Sequence, residues 1–339
     1  MRPTARNAGG LSADRPSTLR GVRIDELLAQ QNRPVFSFEF FPPKTEDGLR
    51  NLFDAVGELR SLRPDYVSVT YGAGGTTAHK TIEIVSRIKE EYGIEAMPHF
   101  TCVGSTVGEL RDTLGEMAAS GVDNVLALRG DPPAGQDEWV KTEGGLEYSR
   151  ELVELIRGDY PFAVGAACFP ETHIHATSAE DDLYYLKEKV DAGAQFLITQ
   201  LFFDNGLYFD FVRRARDIGI DAPIVPGIMP ITNVKQLERM TSLCGATIPA
   251  RLRRELVSRN SQPDAVGDFG VAYATMQCAE LLRGGAPGIH FYTLNRSPAT
   301  RAILSALKLL RPWEETAPLY GRSSISSFSA TAGVPSARS

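Results

Sequence analysis

The sequence predicts a (β/α)8 barrel, a fold of the α/β class, and three observations lead to this prediction. Short apolar runs alternate with longer stretches whose apolar residues recur at helical spacing, and eight such strand–helix units follow one another. The predicted strands are nearly continuous apolar runs, as expected for parallel strands that are buried on both faces. Polar residues and glycines gather at the carboxyl ends of these strands, where barrels of this kind carry their functional sites.

The alternative architecture is an open doubly wound sheet, which usually has fewer strands and begins with a Gly-x-Gly-x-x-Gly turn that this sequence lacks. The predicted strands cover residues 35–40, 66–70, 96–101, 124–128, 162–167, 196–200, 224–226 and 289–293. The predicted helices cover residues 45–62, 79–91, 107–119, 146–157, 178–192, 207–218 and 233–243, with a last helix starting at Ser297-Pro298. An extra helical insertion, residues 249–282, precedes the eighth strand. Ser178, Thr232 and Ser297 are the predicted N-caps of their helices.

Composition and charge limit the classes of function. Residues 1–19 and 321–339 are rich in small and polar residues, which predicts a disordered leader and tail around a catalytic barrel at 20–320. The net charge of −6 gives no general attraction to nucleic acid or anionic membranes. No apolar run approaches the roughly 20 residues of a membrane span, and no secretory signal is present. Four widely spaced cysteines favour a reducing compartment, and hence the cytoplasm. The sequence leaves a homo-oligomer open.

Glu39 is the most unusual residue of the first predicted strand. Phe38 and Phe40 flank it, and two prolines end the strand just beyond it. Burying an unpaired carboxylate costs several kcal/mol, so such a group tends to take up a proton. A carboxyl group that is neutral near physiological pH can act as a general acid. The alternative is a structural ion pair between Glu39 and a cation such as Lys44.

The other predicted strand ends carry polar, glycine and aromatic residues that suit flat heterocyclic ligands. The glycine-rich loop at 72–77 could approach a phosphate or a flat ring, or could simply form a tight turn. His99, His173 and His175 together with Asp131 suggest a metal-dependent hydrolase as a second possibility. However, the His-x-His pair follows the fifth strand instead of the first, and the loop contains no lysine suited to carbamylation. The sequence therefore predicts no metal site.

Five segments, taken together, resemble the 5,10-methylenetetrahydrofolate reductase family, in its bacterial form with a single catalytic domain. The resemblance covers about residues 35–310, with the segments in the family's order and spacing. The segments are Phe38-Glu39-Phe40-Phe41-Pro42-Pro43-Lys44, Val67-Ser68-Val69-Thr70-Tyr71-Gly72-Ala73, Leu128-Arg129-Gly130-Asp131-Pro132, Thr199-Gln200-Leu201-Phe202-Phe203-Asp204 and His290-Phe291-Tyr292-Thr293-Leu294-Asn295-Arg296.

The resemblance implies an oxidoreductase acting on CH–NH donors. In this family FAD accepts hydride from NADH or NADPH and passes it to 5,10-methylenetetrahydrofolate, giving 5-methyltetrahydrofolate for methionine synthesis. Glu39 matches the family's general acid, which protonates the departing nitrogen as the five-membered ring opens. Asp131 matches the carboxylate that modulates the flavin and stands near the pterin.

The resemblance also implies the binding residues. The cofactor-binding positions are Thr70, Tyr71, Ala73, His99, Arg129, Gly130, Asp131, Phe169, His173, Ala176, Asp182 and Lys189. The substrate-binding positions are Glu39, Asp131, Gln200, Gln236 and Arg296. Three positions depart from the family: Phe169 replaces a tyrosine, Glu188 a basic residue near the FAD phosphates, and Met240 an aromatic residue. The alternative functions are a barrel metal-dependent hydrolase and a non-catalytic subunit that binds folate or flavin.

Overall fold

The computed structural model describes residues 21–30, 32–71, 78–131 and 139–315. The predicted leader and tail, and the glycine-rich loop with Ala73, lie outside these residues. Within them, nine strands form a single sheet in which all pairs are parallel, in the order β7-β6-β5-β4-β3-β2-β1-β9-β8. The strands are β1 Val35–Phe40, β2 Tyr66–Val69, β3 Glu95–Thr101, β4 Asn124–Leu128, β5 Ala163–Cys168, β6 Phe196–Thr199, β7 Ile224–Val225, β8 Gly227–Ile228 and β9 Gly288–Tyr292.

The ring closes through one segment that Pro226 divides into β7 and β8. The first half pairs with β6 and the second half pairs with β9. Proline has no N–H to donate, so the ladder changes neighbours at this residue. The carbonyl of Pro226 still accepts the N–H of His290 at 3.0 Å, and the N–H of Gly227 donates to Thr199 Oγ1 at 2.9 Å. Counted as one strand, the two halves complete the predicted eight-stranded barrel.

Helices surround the barrel and agree with the predicted ones to within a few residues. The helices are α1 Ile24–Gln30, α2 Glu46–Arg60, α3 Ala78–Arg87, α4 Val107–Ala119, α5 Ser149–Asp159, α6 Ala179–Asp191, α7 Asn205–Asp217, α8 Val234–Cys244, α9 Ala250–Arg259, α10 Pro263–Arg283 and α11 Pro298–Leu310. A π-helical turn, Ile88–Tyr92, continues α3, and Gly93 ends it with a φ of 66°. The predicted insertion before the last strand consists of α9 and α10.

The predicted N-caps are partly wrong. Ser178 caps α6 as predicted, since its hydroxyl accepts the N–H of Asp181. Asn233, not Thr232, caps α8, because the Asn233 side chain accepts the N–H of Gln236. Ser297 precedes α11 but makes no capping bond, and its hydroxyl donates to Glu58 instead. Asn233 thus takes the cap one residue later than predicted, and Glu58, 239 residues away in sequence, takes the hydroxyl of Ser297.

Helix α1, which the sequence analysis missed, covers the amino end of the barrel. The N–H of Ile24 donates to Asn124 Oδ1 at 2.8 Å, and the N–H of Val22 donates to Glu95 Oε2 at 3.2 Å. Ile24 and Leu28 belong to the apolar cluster inside the ring. Since this end is filled, only the carboxyl end of the barrel is left for a site. No helix in the described ranges is long and apolar enough to cross a membrane.

Candidate active site

One carboxylate and two imidazoles meet inside the mouth of the barrel. Glu39 lies near the end of β1, with a side chain that is 19% exposed. His290 Nε2 from β9 lies 3.3 Å from Glu39 Oε2, and His99 Nε2 from β3 lies 3.4 Å from the same oxygen. Both imidazoles are buried. Strands β1 and β9 are neighbours in the ring, so the closure of the barrel brings Glu39 and His290 together.

Ser37 fixes the orientation of His290. Its hydroxyl lies 2.8 Å from His290 Nδ1, and both residues are fully buried. When His290 donates its Nε2–H to the carboxylate, Nδ1 of the neutral ring must accept, so Ser37 donates its hydroxyl proton. Ser37 and Glu39 are two residues apart on one strand, which places both side chains on the inner face.

The charge of Glu39 differs from the sequence-based expectation, which was that burial keeps its carboxyl group neutral. Burial alone raises its pKa, but the hydrogen bond from His290 and the attraction of the imidazoles of His99 and His290 outweigh this effect. The pKa of Glu39 therefore lies below its ordinary value, and the carboxyl group is ionised at neutral pH without ligand. The suggested ion pair with Lys44 is also wrong, because the partners of Glu39 in the described residues are the two imidazoles.

Tyr292 crosses the mouth beside Glu39. Its hydroxyl donates to the carbonyl of Thr199 at 2.7 Å on the far side of β8. A Cβ on Gly227 would lie 2.4 Å from that carbonyl oxygen and 2.7 Å from the tyrosine hydroxyl. Only glycine therefore leaves room for this bridge. Thr293, the next residue, donates its hydroxyl to the backbone carbonyl of Glu39 and so holds the end of β1.

A second polar cluster follows β5, and it contains four of the predicted cofactor positions. The N–H of His173 donates to Asp182 Oδ2 at 3.2 Å, and the N–H of Ala176 donates to the carbonyl of His173 at 2.8 Å. Lys189 donates to the carbonyl of Ala167 at 2.7 Å, close enough to Asp182 to affect its ionisation. The structure therefore brings His173, Ala176, Asp182 and Lys189 together.

The turn after β4 links the two clusters. Arg129 lies with its guanidinium 5.4 Å from the ring of Trp139, and Asp131 is exposed. Gly130 has a φ of 92°, and a Cβ there would lie 2.5 Å from Val103, two residues beyond β3, and 3.0 Å from Thr101 at its end. The turn can therefore pack directly on the strand that carries His99. The positive charge of Arg129 also lowers the pKa of His173 in the second cluster.

These residues are chemically suited to a flavin. Thr101 Oγ1 and Trp139 Nε1 are buried polar atoms without a hydrogen-bond partner among the described residues, so a ligand could satisfy them. Tyr71 packs edge-on against Phe100, and Phe169 packs edge-on against His173, which offers aromatic surface to a flat ring. Thr70 precedes Tyr71 at the end of β2. Glu188, which replaces a basic residue of the family, has its Oε2 3.9 Å from Arg150 Nε. A cation therefore lies beside this position.

The predicted substrate positions are only partly brought together. Gln200 and Phe169 line one small cleft, and Gln200 Oε1 accepts the N–H of Leu201 at 2.9 Å. Gln236 is half-buried in the first turn of α8, and Arg296 is exposed after β9. Neither of these last two side chains forms a hydrogen bond or ion pair with Glu39 in the part of the chain that the structure describes.

Sequence reasoning omitted several residues from the site. Ser37, Thr101, His290 and Tyr292 all lie on the inner face of the barrel near Glu39. The signal that could have found them is a two-residue alternation of polar side chains within apolar strands. It is present in Ser37 and Glu39 on β1, and again in His290 and Tyr292 on β9.

The lowered pKa values of one histidine in each cluster should make the stability of the protein depend on pH. Burial lowers the pKa of His99 to about 4, and burial together with Arg129 and neighbouring cations lowers that of His173 to about 4. The unfolded chain binds protons at these residues near pH 6.5, so the free energy of unfolding should fall as pH drops from about 6.5 to 4. Urea titrations at pH 7 and pH 5 measure this, and His173→Asn should reduce the difference. An equal difference in that variant would contradict the assignment.

The fold and the mouth define a (β/α)8 barrel protein with a carboxylate–imidazole site at the carboxyl ends of its strands. A family model described as methylenetetrahydrofolate reductase matches residues 23–308. The protein therefore belongs to the methylenetetrahydrofolate reductase family. The 5,10-methylenetetrahydrofolate reductase of Escherichia coli is 39% identical over 285 residues, which cover 84% of this chain and 94% of that protein.

Longer plant proteins and one solved structure are also similar to this chain. Methylenetetrahydrofolate reductase (NADH) 1 of Arabidopsis thaliana is 42% identical over 319 residues, covering 88% of this chain. This chain spans about half the length of such plant relatives, 54% in this case. An uncharacterized protein from Clostridium thermocellum, which binds two copies of 5-methyl-5,6,7,8-tetrahydrofolic acid, superposes with a TM-score of 0.54 at 17% identity. That superposition covers 84% of this chain and 98% of that protein, and it supports the fold alone.

Proposed function

We propose that this protein reduces 5,10-methylenetetrahydrofolate to 5-methyltetrahydrofolate with NADH or NADPH and bound FAD. The observation that carries the proposal is Glu39, held by two imidazoles at the mouth of a barrel that belongs to the methylenetetrahydrofolate reductase family. The product would supply methyl groups for methionine synthesis. A cytoplasmic location, which the cysteine spacing favours, is part of the same proposal.

A bound flavin would supply hydride transfer between the nicotinamide and the folate. The residues proposed to hold it are Thr70, Tyr71, His99, Arg129, Gly130, Asp131, Phe169, His173, Ala176, Asp182 and Lys189, with Ala73 outside the described ranges. Arg129 and Lys189 contribute cations, and the aromatic side chains contribute stacking surface. Glycine at position 130 lets the backbone of that turn stay close to β3.

Glu39 is proposed to protonate the substrate nitrogen that departs when the methylene bridge opens. Its pKa lies below the ordinary value in the ligand-free site, so it must first take up a proton. A ligand that covers the accessible part of the carboxyl group would remove water from it and raise its pKa. Substrate binding and proton uptake are then coupled. Gln200, Gln236 and Arg296 are proposed to contact the folate, as an amide and a guanidinium can pair with its pterin edge and carboxylates.

A visible absorption spectrum of the purified protein tests this function. A flavin spectrum that NADH or NADPH bleaches, and that 5,10-methylenetetrahydrofolate restores, is the expected result. Bound zinc without flavin absorbance would contradict the proposal and favour the metal-dependent hydrolase. A flavin spectrum that neither the nicotinamide nor the folate changes would favour a non-catalytic binding subunit.

Asp131→Asn should slow the folate half-reaction more than the nicotinamide half-reaction. The proposed reason is that the Asp131 carboxylate attracts the positive charge that develops on the folate as its ring opens. At an exposed site this attraction is on the order of 1 kcal/mol at 4 Å, which corresponds to roughly five-fold in rate. Stopped-flow absorbance measures the two half-reactions separately, with the exposed Asp217→Asn as the control. Equal slowing of both half-reactions would contradict this role.

A further inference from the structure

His99 has a buried ring nitrogen that the structure leaves without an aligned partner. Its Nε2 is completely shielded from solvent and makes no hydrogen bond to any described residue. A carboxylate oxygen, Glu39 Oε2, lies 3.4 Å from it. If Nε2 carried a lone pair, it would face the lone pairs of a carboxylate oxygen across this short distance. Electrostatics therefore require a hydrogen on Nε2.

His290 already donates to the same oxygen. Its Nε2 lies 3.3 Å from Glu39 Oε2, and on the other side of the ring its Nδ1 accepts the hydroxyl proton of Ser37. A carboxylate oxygen can accept two hydrogen bonds, so a small rotation of the His99 ring would complete the pair of donors. Such bonds are often poorly aligned without ligand and tighten when the ligand binds.

The second carboxyl oxygen of Glu39, Oε1, has a different environment. Oε1 has no hydrogen-bond partner among the described residues, and it is not one of their buried unpaired atoms, so solvent can reach it. We propose that His99 and His290 form a two-imidazole clamp on Glu39 Oε2, with His99 as a positioning residue that confines the acidic proton of Glu39 to Oε1. Its role in catalysis rests on the proposed function, whereas the clamp itself does not.

The clamp has a direct chemical consequence. When Glu39 is protonated, both acceptor positions of Oε2 are occupied by N–H groups, so the proton must be on Oε1. When Oε1–H transfers its proton to a substrate nitrogen, the new carboxylate keeps two N–H donors, and neither N–H bond breaks. Among the described residues, the other titratable groups that face Glu39 are Tyr66 of β2 and Tyr292 of β9. Burial raises the pKa of both phenols, so they stay neutral while Glu39 titrates.

The tautomer of His99 can be measured in the unmodified chain, which has five histidines. Protein labelled with 15N-histidine would be studied by long-range 1H–15N spectra between pH 8 and pH 5, with single histidine variants for assignment. We expect His99 to be neutral with hydrogen on Nε2 throughout this range, and His290 to carry hydrogen on its Nε2. Hydrogen on Nδ1 of His99, or a charged His99 ring at pH 7, would overturn the proposal.

Two substitutions then test the donor itself. His99→Leu removes the N–H, whereas His99→Gln keeps an N–H at similar reach. The carboxyl resonance of Glu39, labelled with 13C and assigned with Glu39→Gln, should titrate about one pH unit higher in His99→Leu. In His99→Gln it should return towards the wild-type value. His79→Gln, which changes an exposed imidazole 3.2 Å from Glu116, is the matched control. An unchanged Glu39 titration in folded His99→Leu would disprove the clamp.

The pH dependence of the folate half-reaction separates the clamp from the proposed function. In His99→Leu this profile should shift upward by about the same unit, whereas in His99→Gln it should return towards the wild-type profile. If the wild-type protein shows the clamp but no folate reduction, the proposed function fails and the clamp stands. If folate reduction is present and its profile in His99→Leu matches the wild type, His99 has no positioning role.

Discussion

Glu39→Gln should reduce folate turnover by about 10²- to 10⁴-fold, the usual contribution of a general acid. The amide keeps the size and the hydrogen-bonding capacity of the carboxyl group but has no acidic proton to give. Reduction of the flavin by NADH or NADPH needs proximity and orientation only, so its rate should stay near that of the wild type. Stopped-flow absorbance measures the two rates on the same sample.

Glu46→Gln provides a matched control for that experiment. Glu46 is an exposed carboxylate in the first turn of α2, and its substitution should change neither rate. Retention of folate turnover in Glu39→Gln would mean that the carboxylate only holds His99 and His290 in place. The proposed mechanism would then lose its acid.

Lys89→Met should destabilise the protein by about 3 kcal/mol, as expected when one partner of a buried ion pair is removed. Lys89 Nζ lies 2.9 Å from Glu95 and 2.9 Å from Asp123, and it donates to the carbonyl of Gly121 at 2.8 Å. Glu95 is buried at the amino end of the barrel, where it also accepts the N–H of Val22 from the segment before α1. Urea unfolding at pH 8 measures the loss.

The pH dependence of this loss provides a further check. Burial raises the pKa of Glu95, and Lys89 is the main group that opposes this effect. In Lys89→Met the carboxyl group can take up a proton as pH falls, so destabilisation should be smaller at pH 5 than at pH 8. Lys187→Met, which removes an exposed pair with Asp191 on α6, should cost less than about 1 kcal/mol. Equal losses in the two variants would contradict the buried-pair interpretation.

The elements that the sequence predicted best depend on local patterns. Strand β1, strand β4 and helix α4 match their predicted ranges to the residue, because each combines a clear apolar pattern with an abrupt end. Glu39 could be identified as a candidate since a carboxylate between two phenylalanines is unusual at any position. Helix α1 was missed because it has only seven residues, and its position depends on Asn124, 100 residues away.

The features that the sequence could not provide depend on contacts between distant residues. Ser37 and His290 are 253 residues apart, and they meet only because β1 and β9 pair. The direction of the pKa shift of Glu39 likewise follows from its partners and not from its apolar neighbours along the chain. Burial and hydrogen bonding act in opposite directions on a carboxyl group, so identity and burial alone could not decide between them.

The pairing of β1 with β9 also determines when this protein can finish folding. Val35 pairs with Gly288, so β1 cannot complete its pairing until β9 has been synthesised. Contacts between residues so far apart in the sequence also form slowly. During synthesis on the ribosome, the incomplete sheet would present β1 as an unpaired edge that can pair with other nascent chains. We therefore expect chaperone dependence to be greatest for chains that end before Gly288 and to drop once β9 has emerged.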